Sequence, residues 1–303
     1  MPAIKERFTG AKAFVTHLVK RVGDADLPGL SAEMAYRFLF ALFPAMLFLV
    51  ALAGFFGTEE AALAVTDWIQ QTMPEQAASI LSGPVEEVML SQRGDLLSIG
   101  AIAALWGASG VLGSLIKGLN RVHNVPDDRG FVWKNVLKVL LTLFLAAMVM
   151  VAIAAIVGTQ VVIAGFGVLD LGPALSVLAS VAGPLVALVV LVFAVTVVYW
   201  LAPAIKDHPF KFTSAGALLF AAGWVIGTSL LSWYIAAFGN YNQIYGSIGG
   251  IIVLLVWAYW SSFLLLLGGA FNAVREERQP EATAVAPATD AVAREPVEER
   301  RAA

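Results

Sequence analysis

Six long apolar runs, near residues 34–56, 96–116, 137–164, 175–202, 213–238 and 247–273, constrain this chain more than any other feature. Each is long enough to cross a hydrocarbon core of about 30 Å as a helix rising roughly 1.5 Å per residue. Stretches such as VLLTLFLAAMVMVAIAAIVG and PLVALVVLVFAVTVVYWLAP are apolar on every face. Barrel strands would be about half as long and would alternate polar with apolar residues. Lipid offers the backbone no hydrogen-bond partners, so runs of this kind are expected to be helical. Composition agrees: 59% of the residues are hydrophobic and 14% charged, against about a quarter charged in a soluble domain. The expected fold is an all-α integral membrane protein with six transmembrane helices.

Basic residues fall on alternate connectors. The N-terminal segment carries Lys5, Arg7, Lys12, Lys20 and Arg21, and the connector after the second run carries Lys117, Arg121, Arg129, Lys134 and Lys138. The connector after the fourth run adds Lys206 and Lys211, and the C-terminal segment adds Arg275, Arg278, Arg294, Arg300 and Arg301. On the opposite side Arg93 stands alone against Glu59, Glu60, Asp67, Glu75, Glu86, Glu87 and Asp95, and the link between the third and fourth runs has only Asp170. The positive-inside rule counts Lys and Arg rather than net charge, so the formal charge of −3 does not weaken it, and both termini are expected in the cytoplasm. The first run is too long for a signal-peptide core and is expected to stay in the mature chain.

Outside the runs the chain divides further. Residues 1–26 place Ile4, Phe8, Ala11, Val15, Leu18 and Val22 at steps of three and four, with Lys5, Lys12, Lys20 and Arg21 off that stripe. The pattern predicts an amphipathic helix in the cytoplasmic headgroup plane, with anionic lipid as its partner. Nucleic acid is not expected, because basic residues beside a span follow from topology alone. Residues 27–274 form the membrane domain. Within it, residues 57–95 read as a short external helical cap, broken near Met73-Pro74 and Gly83-Pro84. Residues 275–303 mix Ala, Pro and both charge signs without apolar periodicity and read as a disordered cytoplasmic tail.

Enzyme chemistry finds little support. His17, His123 and His208 lie far apart, without the HxH or HExxH spacing that sets two ligands on one metal. There is no P-loop, no Rossmann fingerprint and no cysteine, so no catalytic residue, metal or cofactor is expected. The small-xxx-small segments GWVIG at 223–227 and GSIGG at 246–250 predict close helix packing.

Charge inside a membrane is more informative, since an ionised side chain at the bilayer centre costs at least ~2.5 kcal/mol. Glu33 and Arg37 stand four apart at the start of the first run, the helical spacing and order that let them pair. Two readings stay open. Arg37 either snorkels to the headgroups, or the pair faces a cytoplasm-open cavity with Tyr36 beside it and Pro44 bending the helix two turns deeper. Pro44 and Pro184 occupy matching positions in two three-run halves, which is either coincidence, since the halves share no other pattern, or the pairing of kinked helices in an inverted repeat.

At this point the residues resemble the YihY/virulence factor BrkB family of bacterial inner-membrane proteins, once labelled ribonuclease BN, over roughly residues 25–275. The first run is similar at Ala32, Ala35, Tyr36, Leu42, Phe43 and Pro44, and the second at Trp106, Ser109, Leu119 and Asn120, followed by Arg129, Phe131 and Lys134. Tyr199, Trp200 and Pro203 match at the end of the fourth run, and Tyr241, Tyr245, Gly246, Trp257, Tyr259, Gly268 and Asn272 match in the last. Three positions depart: Ala270 replaces an acidic residue, Arg37 an aromatic one, and His123 a tyrosine.

The resemblance implies a six-span inner-membrane protein. Phosphodiester hydrolysis needs metal ligands or paired acid-base groups, and the matching residues are aromatic, glycine, proline and amide, so a nuclease is not expected. The expected function is transport, as an exporter or flippase-like carrier of an amphiphilic or small solute, driven by a gradient because no ATP motif exists. Glu33, Tyr36, Arg37, Asn120, Tyr241, Tyr245 and Asn272 are the residues expected to line the path. The alternative is a non-transporting organiser or scaffold for envelope machinery. Homo-oligomerisation is left open by the sequence.

Overall fold

The computed structural model describes residues 2–56, 67, 94–167, 173–205, 210, 212–237 and 247–292. Seven helices are described: α1 (Pro2–Asp24), α2 (Leu27–Phe56), α3 (Gly94–Val122), α4 (Phe131–Gly167), α5 (Pro173–Leu201), α6 (Ala215–Ala237) and α7 (Ser247–Val292). No strand occurs among the described residues. Each of the six apolar runs lies within or almost within one helix, from α2 to α7. Five stretches, Ser98–Val122, Phe131–Thr159, Val181–Leu201, Ala215–Ala237 and Gly249–Arg278, are long and apolar enough to cross a membrane. The expected external cap lies almost wholly outside the described residues.

Consecutive helices pack as antiparallel hairpins, and α7 returns to α2, so α2 to α7 close into a ring; α7 also touches α3. Residue pairings fix the register. Along α2 and α3, Glu33 meets Ser114 while Gly107 lies against Ala41. Along α6 and α7, Trp224 Nε1 donates to Ser261 Oγ at 3.0 Å, and Gly227 lies under the Trp260 indole, where a methyl group would collide with the ring. The GWVIG segment therefore packs closely on α7, as its small residues imply.

The tight core sits at one end of this ring. The most deeply buried large side chains include Leu27 and Leu30 near the start of α2, Leu115, Leu119 and Val122 at the end of α3, Leu141 in α4, Val198 near the end of α5, and Leu266 and Val274 in α7. Elsewhere large apolar side chains point outward, among them Ile102, Trp106, Leu143, Met150, Val189, Ile226 and Trp233. Surface of this extent would be ruinous in water and is what a lipid-facing surface requires.

α1 docks on the packed end. Phe14 meets Phe271 edge-on with centroids 5.0 Å apart, the Arg278 guanidinium lies 5.6 Å above the Phe14 ring, and Arg21 Nη2 donates to both oxygens of Glu277 at 2.6 and 2.8 Å. Leu18 and Val22 pack against the core. Val15, placed by the sequence stripe on the same face as Leu18, is 56% exposed beside Val19, while Phe14 turns inward. The α7 helix supplies the reason: its aromatic Phe271 selects Phe14, rotating the buried face by one residue. α7 itself continues to Val292, through residues 275–292 that lack apolar periodicity. Here Glu277 and Arg278 are anchored by α1, a tertiary contact that periodicity along α7 alone does not reveal.

The α1–α2 turn is local chemistry. Asp26 takes a left-handed conformation at φ 54°, which Asp tolerates better than most residues, and its Oδ1 accepts the Gly29 N–H at 3.2 Å, capping α2.

Candidate functional site at the basic end

The end of α3 is where charge collects, and its backbone is the first thing to satisfy. His123 N donates to the Leu119 carbonyl, Asn124 N to that of Arg121, and Val125 N to that of Asn120, with Asn124 left-handed at φ 53°. These bonds form a Schellman-type cap with asparagine in the place glycine usually takes. Arg21 Nη1 reaches over from α1 to the Val122 carbonyl at 2.7 Å, so a cation closes the negative end of the helix. His123 Nδ1 lies 2.9 Å from the Leu119 carbonyl, a short-range contact at the helix end that the longer tyrosine side chain does not reproduce.

The connector that follows folds around Asp127. Its carboxylate accepts Arg129 Nε at 2.8 Å and Arg129 Nη2 at 2.9 Å, together with the Arg129 backbone N–H and Asn120 Nδ2. The Arg129 side-chain hydrogen bond holds the Asp127 carboxyl below the usual aspartate range; partial burial opposes this, and the backbone N–H and the charges of Arg129 and Lys134 reinforce it. Lys134 Nζ donates to the Asp127 carbonyl at 2.8 Å.

Asn120 and Arg129 also tie this connector to the one between α5 and α6. Asn120 Oδ1 accepts the Ala204 N–H at 2.7 Å, and Arg129 Nη2 donates to the Ala202 carbonyl at 2.9 Å. Asn120 is buried and engaged at both ends of its amide.

Beside the last turns of α3, on α2, stands the Glu33–Arg37 pair. Arg37 Nε donates to Glu33 Oε1 at 3.1 Å, on the helical i, i+4 spacing. The structure adds two donors from α3: Ser114 Oγ to Glu33 Oε1 at 2.8 Å and Lys117 Nζ to Glu33 Oε2 at 3.3 Å. Glu33 is 31% exposed, Arg37 48% and Lys117 50%, so the cluster stands half in the bundle and half open. Tyr36 lies beside it but is exposed, its ring 4.7 Å from that of Phe40.

Lys117 is shared with a cavity of about 330 Å³ between α3, the connector and α4. Gly113, Ile116, Lys117, Asn120 and Arg121 contribute from α3, and Val125, Asp127 and Arg129 from the connector. Lys134, Leu137 and Lys138 close it from α4. Five cationic side chains face one carboxylate here. The sequence displays all five, but as topology signals, and helical spacing of Lys117 with Arg121 and of Lys134 with Lys138 is the clue that would have grouped them.

The other expected path residues are placed differently. Asn272 Oδ1 accepts the Gly216 N–H at 2.7 Å and so caps α6 from α7. Tyr241 and Tyr245 lie outside the described residues. α2 and α5 run unbroken through Pro44 and Pro184. Tyr199 joins α5 to α7, its hydroxyl donating to the Leu265 carbonyl at 2.5 Å. Ala270, where the family motif carries an acid, is fully buried.

Long apolar helices, a lipid-facing surface and a charged cluster gathered at one end define a multi-pass helical membrane protein. The chain belongs to the Virulence factor BrkB family, which it matches over residues 18–292. It is 34% identical over 276 residues to YfkH of Bacillus subtilis (strain 168), a protein named only as ribonuclease-like, covering 88% of this chain and 96% of that one. UPF0761 membrane proteins of Mannheimia succiniciproducens and Vibrio atlanticus are 23% and 22% identical over 257 and 277 residues. Those matches span 84% and 91% of this chain, and 86% of each relative. No solved structure matches the chain.

Proposed function

We propose that this protein is a six-span transporter of the bacterial inner membrane, an exporter or flippase-like carrier of an amphiphilic or small solute, with α2 as the first span and both termini cytoplasmic. One observation carries the reading. Glu33, Arg37, Ser114 and Lys117 form a half-open charged cluster at the mouth of the first two spans, and Lys117 joins it to the basic cavity. Ionisable groups at membrane depth are costly and tend to mark solute or ion paths. The orientation rests on the lysines and arginines gathered at this end. Val15 and Val19, exposed on α1 between Lys12 and Lys20, suit a helix resting on anionic lipid headgroups. Glu33 is engaged by three donors, Arg37, Ser114 and Lys117, an arrangement suited to a gate that opens as its partners change.

The test is transport by the purified full-length protein in liposomes, against a panel of envelope lipids and small solutes, with Glu33→Gln and Arg37→Gln variants that keep the wild-type melting transition. Movement that falls at least tenfold in both variants supports the reading. Wild-type rates in both remove the cluster from the path. No movement of any solute, together with envelope proteins that co-purify in fixed ratio, favours the organiser.

A further inference from the structure

The cations around the cavity divide into two groups. Arg129 and Lys134 are consumed by the connector: both serve Asp127, and Arg129 also holds the Ala202 carbonyl. Their charge is part of the lining. Lys117, Arg121 and Lys138 are not consumed in this way. Among the described residues, Lys117 shares Glu33 with Arg37, the Lys138 ammonium bonds only the neutral Asn135 amide, at 3.3 Å, and the Arg121 guanidinium has no hydrogen-bond or ion-pair partner. The Lys138 stem is laid across Gly113, where a methyl group would come within 3.3 Å of its Cε, so the absence of a side chain at 113 lets the ammonium lean over the cavity. Lys134 and Lys138 also stand on the first two turns of α4, where the helix dipole adds to a positive field.

A surplus of cations converging on a concave surface is a site for an anion. The same cavity has an apolar member, Val125, that is only half-buried and that an inorganic ion would leave uncovered, while Ile116 and Leu137 are already buried in the core. We propose that the cavity binds a phosphate group, held by Lys117, Arg121 and Lys138, and that its source is the headgroup of an anionic phospholipid, whose glycerol lies against Val125. Phosphate free in solution is the other source of the same chemistry. The cavity lies within the span of sizes that hold small ligands, at the low end of about 300–1,000 Å³. Basic pockets between transmembrane helices on the cytoplasmic side are suited to such headgroups. This names a ligand class for the mouth assigned above and rests on that reading for which end faces the cytoplasm; binding is measured apart from transport, so either can fail alone.

The test is calorimetric titration of the full-length protein in a nonionic detergent with dihexanoyl phosphatidylglycerol, dihexanoyl phosphatidylcholine and inorganic phosphate. Saturable binding of phosphatidylglycerol is expected, at least tenfold tighter than phosphatidylcholine or phosphate. Lys138→Gln and Arg121→Gln should each weaken it about fivefold, as expected for one cation near an anionic headgroup, while Arg275→Gln, an exposed cation of α7 away from the cavity, should leave it within twofold. Arg121→Gln removes charge from an exposed side chain with no hydrogen bond or ion pair to lose among the described residues, so an altered fold in the Lys138 variant would not spoil the test. Inorganic phosphate binding as tightly as the lipid, with the same loss in the two cavity variants, would keep the phosphate site and overturn the lipid source. Absence of saturable binding, or an equal loss in Arg275→Gln, would overturn the site.

Discussion

Asn272 of α7 caps α6: its Oδ1 accepts the backbone N–H of Gly216 at 2.7 Å, beside Ser214, whose hydroxyl takes the N–H of Ala217 at 3.0 Å. Two of the orphan donors of that helix start are therefore satisfied, one from the neighbouring helix. Gly216 has no room for a side chain, because a methyl group would meet the Gly268 carbonyl and the Asn272 amide.

Asn272→Ala is expected to destabilise the bundle by about 1–2 kcal/mol, the cost of a lost cap that leaves a buried N–H unpaired. Gly216→Ala should do at least as much through overlap. Thermal melting in detergent reads both. An Asn272→Ala protein that melts with the wild type and yet fails to transport would mean the amide serves the solute and not the helix.

Asn120 and Arg129 make the same kind of statement about the connectors. Arg129 holds two partners with one planar fork, the Asp127 carboxylate and the Ala202 carbonyl, and a lysine offers no second arm in that geometry. Arg129→Lys should cost about 1–3 kcal/mol, since an unpaired buried acceptor remains. Limited proteolysis should then cut faster at residues 123–130 and 202–205, while Lys134→Gln, which loses one bond to the Asp127 carbonyl and a longer ion pair to its carboxylate, should change the pattern less.

How far the sequence discloses these features depends on the range of the interaction. Apolar length and the sign of the connectors are properties of single segments, so all six runs fall on helices, five of them with membrane-crossing apolarity among the described residues. The Glu33–Arg37 pair is also local, four residues along one helix, and is present. Ser114 and Lys117, 81 and 84 residues from Glu33, become its donors only through the α2–α3 pairing. The rotation of α1 toward Phe14 and the capping of α6 by Asn272 likewise need a partner helix that no periodicity announces. Asn120, whose sequence context suggests a path-lining role, borders the cavity, but its amide is spent on Asp127 and Ala204.

Asp127 sets a pH dependence with a definite sign. Its folded pKa is depressed, first by the Arg129 hydrogen bond, so the group contributes stability above the ordinary aspartate range, and that contribution is lost as pH falls through the folded value. Melting should be insensitive to this group at neutral pH and should decline only in acid, below the pKa of an unfolded aspartate. Asp127→Asn should be less stable at neutral pH and should show a shallower acid decline. An equally steep decline in that variant would assign the acid sensitivity to other carboxylates.

The charged cluster on α2 and α3 offers the sharpest separation of stability from function. Arg37 is half exposed, and an exposed ion pair contributes about 0–1 kcal/mol, so Arg37→Gln should melt almost as the wild type does. Glu33 is different, because it serves Arg37, Lys117 and Ser114 at once. Glu33→Gln leaves two cations facing each other without an acid between them, and the expected result is a Lys117 released toward the cavity. Anion affinity there should then rise by roughly fivefold, the share of one cation near a headgroup, while transport, on the proposed function, falls. A Glu33→Gln protein with weaker anion binding would show that Glu33 holds Lys117 in its binding position, and would reverse the order in which pair and cavity act.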